Sequence, residues 1–503
     1  MSGKRLWLLA GIVLLLTACG GQPSGGDGGG GGGGGSSEGQ PFALLHEGLG
    51  TKALVVVSDQ SPVSTQAVKK ASYLYIAGFR QGTYQEGLQD AMVWMVDGQG
   101  QVVARKRIGS EMMPGYSPNW VRSNDRAYAL ALHGVYLYVA GYLAGCDDDL
   151  QDTCRGNPFV AKLNPADLSY VTAFGGNSDP GFGEPGVAVL DQVADERTYA
   201  YALAVDEAGV YVGGFGGTRG FVAVLDPDTG REERRLLLGS PDPQAKTHVE
   251  AFAVRGGALY VAGHTNVEFD CQGAPTGSVA QYAMAFVLKL SASDLSCDAG
   301  FGPGGVVYLR ETGDTEILSL TLSQDGAHLL AGGFGGETIC EGDTCVEFRG
   351  LARGWVLDPS TGQTVTSFPG FPNGYLYTQG ANCQQQDFVY NQVLICADRI
   401  RSVRLASDGT VLLAGHVKGQ AQAQDRFPGT EDGLTGSNLF FARYRWDGTL
   451  LDYQEQDFGG GTELGFGVVQ GPDGYFYVVG STTGPVGGYT DQNPKAIVLR
   501  FSP

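Results

Sequence analysis

Short apolar runs alternate with polar turn sequences along most of this chain. The runs are rich in β-branched and aromatic residues, and Gly, Asp, Asn and Pro separate them. The stretch "VYVGGFGGTRGFVAVLDPDTG" from Val210 to Gly230 is typical. A sustained helical period is not found. The pattern therefore predicts an all-β protein of short strands joined by tight turns.

This motif of two apolar runs and a turn recurs seven times, which predicts a repeat architecture. Each copy has a glycine in its first run, and aligning the copies gives Gly78, Gly141, Gly214, Gly263, Gly332, Gly415 and Gly480. A second run follows each glycine, as in "FVAVLDPDTG", and runs such as "ALAVDEAG" and "REERRLLLG" flank most copies. Four antiparallel strands per unit and seven units predict a seven-bladed β-propeller. The shared glycine indicates a close approach of neighbouring backbones.

The two ends of the repeat region suggest how the ring closes. The last unit stops at "AIVLRFSP", its third strand, while "ALVVVSD" (Ala53 to Asp59) precedes the first unit. We expect residues 53–59 to supply the missing outer strand of the last blade, so that its third strand does not remain an unpaired edge. Two separate β-sandwiches are the alternative, and they leave this run and the regular repeat unexplained.

These motifs resemble those of secreted bacterial propeller-repeat proteins, the SBBP-like group. The resemblance rests on the Asp-Gly turns, the "YVAG"-type runs and the "FVAKLNP"-type runs from Val63 to the end. It implies the propeller fold, and it carries no site residues to this chain.

The N-terminus predicts export and a lipid anchor. Lys4 and Arg5 precede an apolar run too short for a permanent membrane helix, and "LTAC" follows it. This tetrapeptide resembles the bacterial lipobox, which implies that Cys19 is acylated after cleavage. An ordinary secretory signal is the alternative. We expect a signal peptide over 1–18, a lipidated, disordered Gly-rich tether over 19–40, and the propeller over 41–503.

The other eight cysteines fit an oxidising compartment. Pairing each with its nearest neighbour is the simplest of the many connectivities that eight cysteines allow. The pairs would be Cys146–Cys154, Cys271–Cys297, Cys340–Cys345 and Cys383–Cys396.

The lengths of the connections suggest which face of the propeller binds a partner. With strands lettered a to d from the channel outwards, the a–b and c–d turns are short, whereas long insertions fall in the b–c and d–a connections, which share one face. The b–c insertions span 143–157, 265–283, 335–353 and 417–438, and the d–a connections span 177–197 and 371–399. Long loops on one face favour a binding surface, with neutral loop growth as the alternative.

Candidate chemistry is sparse. Clustered carboxylates in "CDDDLQDTC" could bind calcium, although an acidic loop is commonly just solvated; they are Asp147, Asp148, Asp149 and Asp152. His264 and His416 directly follow the repeat glycine where other copies place mostly aromatic rings, so we interpret them as packing residues. Glu337, Glu341 and Asp343 could act as acid and base in a glycosidase-like cleft.

We therefore predict a non-enzymatic, monomeric binding or scaffolding module without a required cofactor, tethered to the bacterial envelope on its extracytoplasmic side. In a two-membrane envelope Gly20 after the lipid cysteine favours the outer membrane. The partner would be an envelope protein or a glycan, met at the long-loop face. The net charge of −20 argues against nucleic acid. A propeller enzyme (a hydrolase or a quinone-cofactor dehydrogenase) and a propeller lipoprotein of outer-membrane assembly are the alternatives.

Overall fold

The computed structural model describes most of the region predicted to be the propeller. The described residues are 43–45, 48–56, 73–81, 89–109, 120–123, 125–147, 155–175, 185–193, 196–341, 344–365, 384–387, 392–395, 398–417, 437–446, 448–459, 461–486 and 495–503. In these ranges no helix is long and apolar enough to cross a membrane. The predicted signal peptide, Cys19 and the tether lie outside them.

The described residues form seven sheets of mainly antiparallel strands, which are the blades of a β-propeller. The innermost strands of successive blades pack side by side, and that of the last blade contacts that of the first, so the ring is closed. The inner strands are continuous apolar runs, because neighbouring blades cover both faces of each blade and bury successive side chains. The prediction of an all-β, seven-bladed propeller is confirmed.

Four strands, a to d, run from the channel to the rim of most blades. The a strands of blades 1 to 7 are Gly48–Val56, Arg126–His133, Thr198–Val205, Thr247–Arg255, Glu316–Leu322, Arg399–Leu405 and Glu463–Gln470. The b strands are Leu74–Gln81, Tyr136–Asp147, Val210–Gly216, Ala258–Thr265, Leu329–Glu341, Val411–Val417 and Phe476–Thr482. The c strands are Gln89–Val96, Arg155–Leu163, Arg219–Leu225, Met284–Ser291, Thr344–Leu357, Asn438–Tyr444 and Lys495–Phe501. The d strands of blades 1, 2, 3, 4, 6 and 7 are Val102–Ile108, Val187–Val189, Glu232–Leu238, Val306–Leu309, Leu450–Gln456 and Ala43–Leu45.

An N-terminal strand closes the ring, but it is not the predicted one. Ala43–Leu45 pairs antiparallel with strand c of blade 7, with Leu44 opposite Ile497. Residues 53–56 of the predicted closing run instead belong to strand a of blade 1, where Ala53 lies opposite Ala77. The prediction for residues 53–59 is therefore wrong. The closing strand is a shorter run upstream.

Blades 2 and 5 carry long hairpins where the sequence suggested irregular b–c loops. In blade 5 strands b and c stay paired out to Glu341 and Thr344. The extension of strand c also pairs in parallel with Gln392–Ile395, which pairs with Gln384–Asp387. In blade 2 Trp120–Ser123 pairs with the extended strand b. Part of the length in the b–c and d–a connections is therefore regular β-structure.

Every a strand contains a β-bulge at the same position. The pairing of strands a and b slips by one residue in each blade. The bulged residues are Lys52, Tyr128, Tyr201, Glu250, Leu318, Arg401 and Phe466. A bulge re-aims one side chain and sharpens the local twist. Seven bulges therefore set the wall of the channel.

The repeat glycine of strand b lies opposite the residue that precedes each bulge. A Cβ on Gly141, Gly214 or Gly263 would overlap the carbonyl oxygen of the facing a strand, on Arg126, Tyr199 or His248. In blade 5 the residue in this position is Gly333, opposite Ile317, and not the aligned Gly332. The close approach inferred from the sequence is thus between strands a and b at the bulge.

Small residues follow the bulges and allow the inner strands of neighbouring blades to approach each other. They are Ala53, Ala129, Ala202, Ala251, Ser319, Ser402 and Gly467. Two of them also bond across blades, because the backbone N–H of Val403 donates to Ser319 Oγ (3.0 Å) and that of Val468 donates to Ser402 Oγ (3.2 Å). These hydroxyls satisfy amides that are buried between blades.

The recurrent Asp-Pro turns join neighbouring blades at the other face. Tyr75 donates to the carbonyl oxygen of Pro165 in the next blade (2.6 Å), and Tyr260 does the same to Pro359 (2.9 Å). Lys162 Nζ bonds the carbonyl oxygen of Pro227 at 2.7 Å. The proline-containing turn between strands c and d thus also forms contacts between neighbouring blades.

Cys271 and Cys297 form a disulfide, with their Cα atoms 5.6 Å apart. The b–c loop of blade 4 runs along the outer edge of its blade, where Phe269 packs on Phe286 and bonds the hydroxyl of Tyr308 through its backbone. The disulfide therefore fastens this loop to the rim. Side chains of the other predicted pairs lie outside the described set, although strand register places positions 340 and 345 opposite each other.

Substitution of the repeat glycine tests the close approach. We expect Gly214→Ala to lower the free energy of unfolding by about 1–3 kcal/mol, because the added methyl group displaces the facing backbone. Gly98→Ala is the control, since a Cβ there meets open space and should cost less than about 0.5 kcal/mol. Equal stabilities in urea titrations would contradict the argument.

Truncation tests the closing strand. A chain that starts at Gly48 lacks Ala43–Leu45 and exposes the edge of blade 7, so its melting temperature should fall below that of a chain starting at Pro41. The lost pairing is worth about 2–4 kcal/mol at ~1 kcal/mol per hydrogen bond. Identical melting curves for the two chains would show that residues 43–45 do not close the ring.

Candidate functional site

The bulged residues line a cavity in the central channel. It has a volume of about 110 Å³ and is bounded by the bulged residues of six blades. These are Tyr128, Tyr201, Glu250, Leu318, Arg401 and Phe466. Residues after the bulge, such as Arg404, complete the wall. The scaffold repeats, but the side chains do not, so the cavity combines aromatic, acidic, basic and aliphatic groups.

A second ring of side chains lies at the end of the channel where strand a begins and strand b ends. This end belongs to the face of the b–c and d–a connections, which the sequence favoured. Each blade contributes a cross-strand pair, one residue from strand a and the one after the glycine of strand b. The pairs include Arg126–Tyr142, Tyr199–Phe215, His248–His264, Glu316–Phe334 and Arg399–His416. We call these ten residues the mouth ring.

Aromatic rings form a continuous stack along blades 2 to 4 of the mouth ring. Tyr142 stacks on Tyr199 with centroids 4.3 Å apart, and Tyr199 stacks on Phe215 at 5.0 Å. Phe215 lies flat against the imidazole of His248 at 3.7 Å, and His248 lies 4.5 Å from His264. Stacked rings held between strands have few rotamers open to them. This side of the mouth is therefore a rigid aromatic wall.

Two histidines and two glutamates meet where the stack ends. His248 Nδ1 lies 3.7 Å from Glu250 Oε1, and His264 Nδ1 lies 3.9 Å from the same oxygen. His264 Nδ1 is also 3.5 Å from Glu316 Oε2, which comes from the next blade. One ligand atom each from His248, Glu250 and His264 lie within 4.8 Å of one another. We call these four residues the His-Glu cluster.

Burial sets the protonation of the His-Glu cluster. Burial, and next the charge of Lys246, lowers the pKa of His248 to about 3. Burial also lowers the pKa of His264 to about 3, with His248 adding to the shift and Glu250 opposing it. Burial, reinforced by Glu250 and opposed by Arg399, raises the pKa of Glu316 well above its ordinary range. Near neutral pH both imidazoles are uncharged and can act as ligands.

Arginines of blade 6 lie next to the blade 5 side of the His-Glu cluster. The Arg399 guanidinium lies over the ring of Phe334, 3.5 Å from its centroid, and donates to the carbonyl oxygen of Gly350. Burial lowers the pKa of Arg399 to about 10, helped by Arg401 and opposed by Glu316. His416 is fully buried, and burial with these two arginines lowers its pKa well below the ordinary value. Acidic and basic groups thus adjoin each other at the mouth.

Few of the sequence-predicted site residues are among those that the structure describes. Asp147 ends strand b of blade 2, its side chain is not described, and Asp148, Asp149 and Asp152 lie outside the described residues. Glu337 and Glu341 are on the long strand b of blade 5, and Asp343 is outside the described set. These calcium and glycosidase hypotheses stay predictions.

The sequence did not reveal the bulged residues of the a strands, nor the carboxylates of Glu250 and Glu316 beside His264. A signal was present, since a strands share a small residue after the bulge, as in "AYA" (Ala127 to Ala129 and Ala200 to Ala202). Aligning the residue before these small positions collects Tyr128, Tyr201, Glu250 and Arg401. Their variety contrasts with the uniformity of the small residues that follow them.

No family model matches the chain, and no curated protein matches its sequence. The Dos1 propeller is 10% identical with a TM-score of 0.43, covering 92% of this chain and 95% of that one. A DUF4221 family member from Bacteroides vulgatus is 10% identical with a TM-score of 0.34 and the same coverages. Drosophila Semaphorin 2a is 10% identical with a TM-score of 0.39, covering 92% of this chain and 76% of that one. The protein is a seven-bladed propeller with distant structural neighbours, and these likenesses carry no function to it.

Glu463, the first residue of strand a in blade 7, is a buried acid in the same face. Its Oε1 accepts a hydrogen bond from the Thr482 hydroxyl (2.7 Å), whereas its Oε2 has no partner among the described residues. Burial, with the charge of Asp457 adding to it, raises the pKa of Glu463 to about 7. A raised carboxyl pKa favours the folded protein below the unfolded-state pKa, and this contribution is lost as pH rises through about 7.

Glu463→Gln tests this linkage. The amide can retain the bond to Thr482 and cannot ionise, so the variant should be more stable than the parent by about 2 kcal/mol at about pH 8. The gain should shrink towards zero near about pH 4, where the parent is protonated in both states. Melting temperatures across this range measure it, and a gain independent of pH would contradict the assignment.

Proposed function

We propose that this protein is a lipid-anchored, extracytoplasmic binding module that holds the end of an envelope glycan in the channel mouth. The observation that carries the proposal is the set of bulged residues on the a strands. Tyr128, Tyr201, Glu250 and Arg401 of this set line one cavity that is open to solvent. Ligand sites combine a concave shape with a few converging polar groups. Strand a of a different blade holds each of these four side chains in place, so little order needs to be gained on binding.

The cavity favours a slender, polar ligand over a folded protein. Stable protein interfaces need on the order of 1,000 Å² or more, whereas this site is a recess of about 110 Å³. Exposed large apolar side chains in the described residues lie on outer strands and an a–b turn, away from the mouth; they are Val102, Val103, Val135, Leu450 and Leu451. A sugar presents apolar C–H faces and hydroxyls together, which matches aromatic rings beside charged groups.

The anchor and the compartment complete the proposal. Acylated Cys19 and the glycine-rich segment from there to Gln40 would tether the propeller to a membrane. Such a tether reaches on the order of 25 Å, enough to free the domain from the lipid surface. The net charge of −20 suits a domain that stays off anionic lipid headgroups.

Binding of the purified protein to an array of envelope glycan fragments tests the proposal. We expect Tyr201→Phe and Arg401→Met each to weaken capture of the selected glycan by about 10-fold, which corresponds to about 1.4 kcal/mol. Both residues line the cavity, and both substitutions keep most of the side chain volume. Affinity is measured by titration of the soluble glycan.

Val135→Ala is the control, since Val135 is exposed at the a–b turn of blade 2 on the opposite face. It should bind as the parent does. The proposal fails if no envelope glycan binds, or if the two channel variants bind as tightly as the parent while retaining its melting temperature.

A further inference from the structure

We propose that His248, Glu250, His264 and Glu316 bind one divalent first-row transition metal ion, with Zn²⁺ the ion that suits them best. The first three residues come from strands a and b of blade 4, and Glu316 begins strand a of blade 5. The site lies in the wall of the channel, because Glu250 lines the cavity. The inference is independent of the glycan proposal.

The separations within the His-Glu cluster match a metal site better than hydrogen bonding. The nitrogen-to-oxygen distances are 3.7, 3.9 and 3.5 Å. A direct hydrogen bond would bring these atoms to about 2.7–3.2 Å. Two ligands at ~2.1 Å from a tetrahedral zinc ion lie about 3.4 Å apart. Ligand atoms of His248, Glu250 and His264 are therefore spaced for an ion between them, and Glu316 adjoins this group through His264.

Two buried polar atoms of the cluster lack hydrogen-bond partners among the described residues. His264 is 5% exposed and Glu316 is 1% exposed. Neither His264 Nδ1 nor Glu316 Oε1 has a hydrogen-bond partner among the described residues. Leaving such groups buried and unbonded costs about 1–3 kcal/mol each. A cation that accepts the lone pairs of both residues would remove this cost.

The chemistry of the ligand set indicates the class of ion. Two imidazole nitrogens and two carboxylates suit zinc and its first-row neighbours, whereas calcium and magnesium prefer oxygen alone. Lys246, Arg399 and Arg401 bring positive charge to the same groups and reduce the affinity. Glu250, Glu316 and Asp314 oppose that charge.

His248, Glu250 and His264 would supply three ligands. Glu316, whose Oε2 lies 3.5 Å from His264 Nδ1, would move towards the ion to supply the fourth and close the site. The ion would join the inner strands of blades 4 and 5 directly at the mouth. It would also fix the flat contact between His248 and Phe215, on which the aromatic stack depends. The metal would then pre-organise the channel mouth without taking part in a reaction.

Equilibrium dialysis of the purified full chain, free of any affinity tag, tests the site. We expect one Zn²⁺ per chain after dialysis against EDTA and then against micromolar zinc. His264→Ala and Glu316→Gln should each weaken binding by about 10-fold or more, as losses of even outer-shell groups do. Zinc should raise the melting temperature of the parent and not of these variants. Co²⁺ in place of zinc should give the visible absorption of a tetrahedral site.

His133→Ala is the matched control, because His133 ends strand a of blade 2 on the opposite face. It should bind zinc as the parent does. Should His264→Ala fail to fold, His264→Gln and Glu250→Gln take its place. The proposal is overturned if the parent retains less than one equivalent of zinc, or if folded cluster variants bind it as tightly as the parent does. A failed glycan array would leave these readouts unchanged.

Discussion

The close approach of the first two strands in each blade is the constraint on which this structure depends. A carbonyl of strand a lies where the Cβ of any residue other than glycine would stand on strand b. The adjoining bulge turns one side chain of strand a towards the axis. Because this pairing is repeated in all seven blades, the ring gains seven equivalent positions at which the chain can vary without altering the scaffold.

The variation at those positions is ordered around the ring. Blades 2 and 3 supply tyrosines, blade 4 supplies histidines and Glu250, and blade 6 supplies Arg399 and Arg401. The aromatic stack, the His-Glu cluster and the arginines therefore follow one another around the mouth. An asymmetric site arises on a symmetric frame because packing constrains the glycine and the small residue after the bulge, and leaves the bulged side chain free to differ.

Contacts between blades act at both faces. Near the axis, buried serines after the bulge accept hydrogen bonds from backbone amides of the next blade, as Ser402 does from Val468. Near the opposite face a tyrosine hydroxyl donates a hydrogen bond to the proline carbonyl of the neighbouring blade's turn, as Tyr260 does to Pro359. Each such bond contributes on the order of 1 kcal/mol. Their repetition holds adjacent blades in register, which the cross-blade distance between His264 and Glu316 requires.

Sequence alone determined the all-β class, the seven units and the importance of the repeat glycine, because short apolar runs, turn residues and a missing side chain are local properties. It could not choose the closing strand. The runs at Ala43 and Ala53 are both short and apolar, and only the pairing with Ile497 and Ala77 distinguishes them. The same limit hid the His-Glu cluster. His264 alone resembles a packing ring, and Glu316 lies far along the chain on another blade. Strand register and ring closure bring these groups together, and those are set by contacts between distant segments rather than by any one segment.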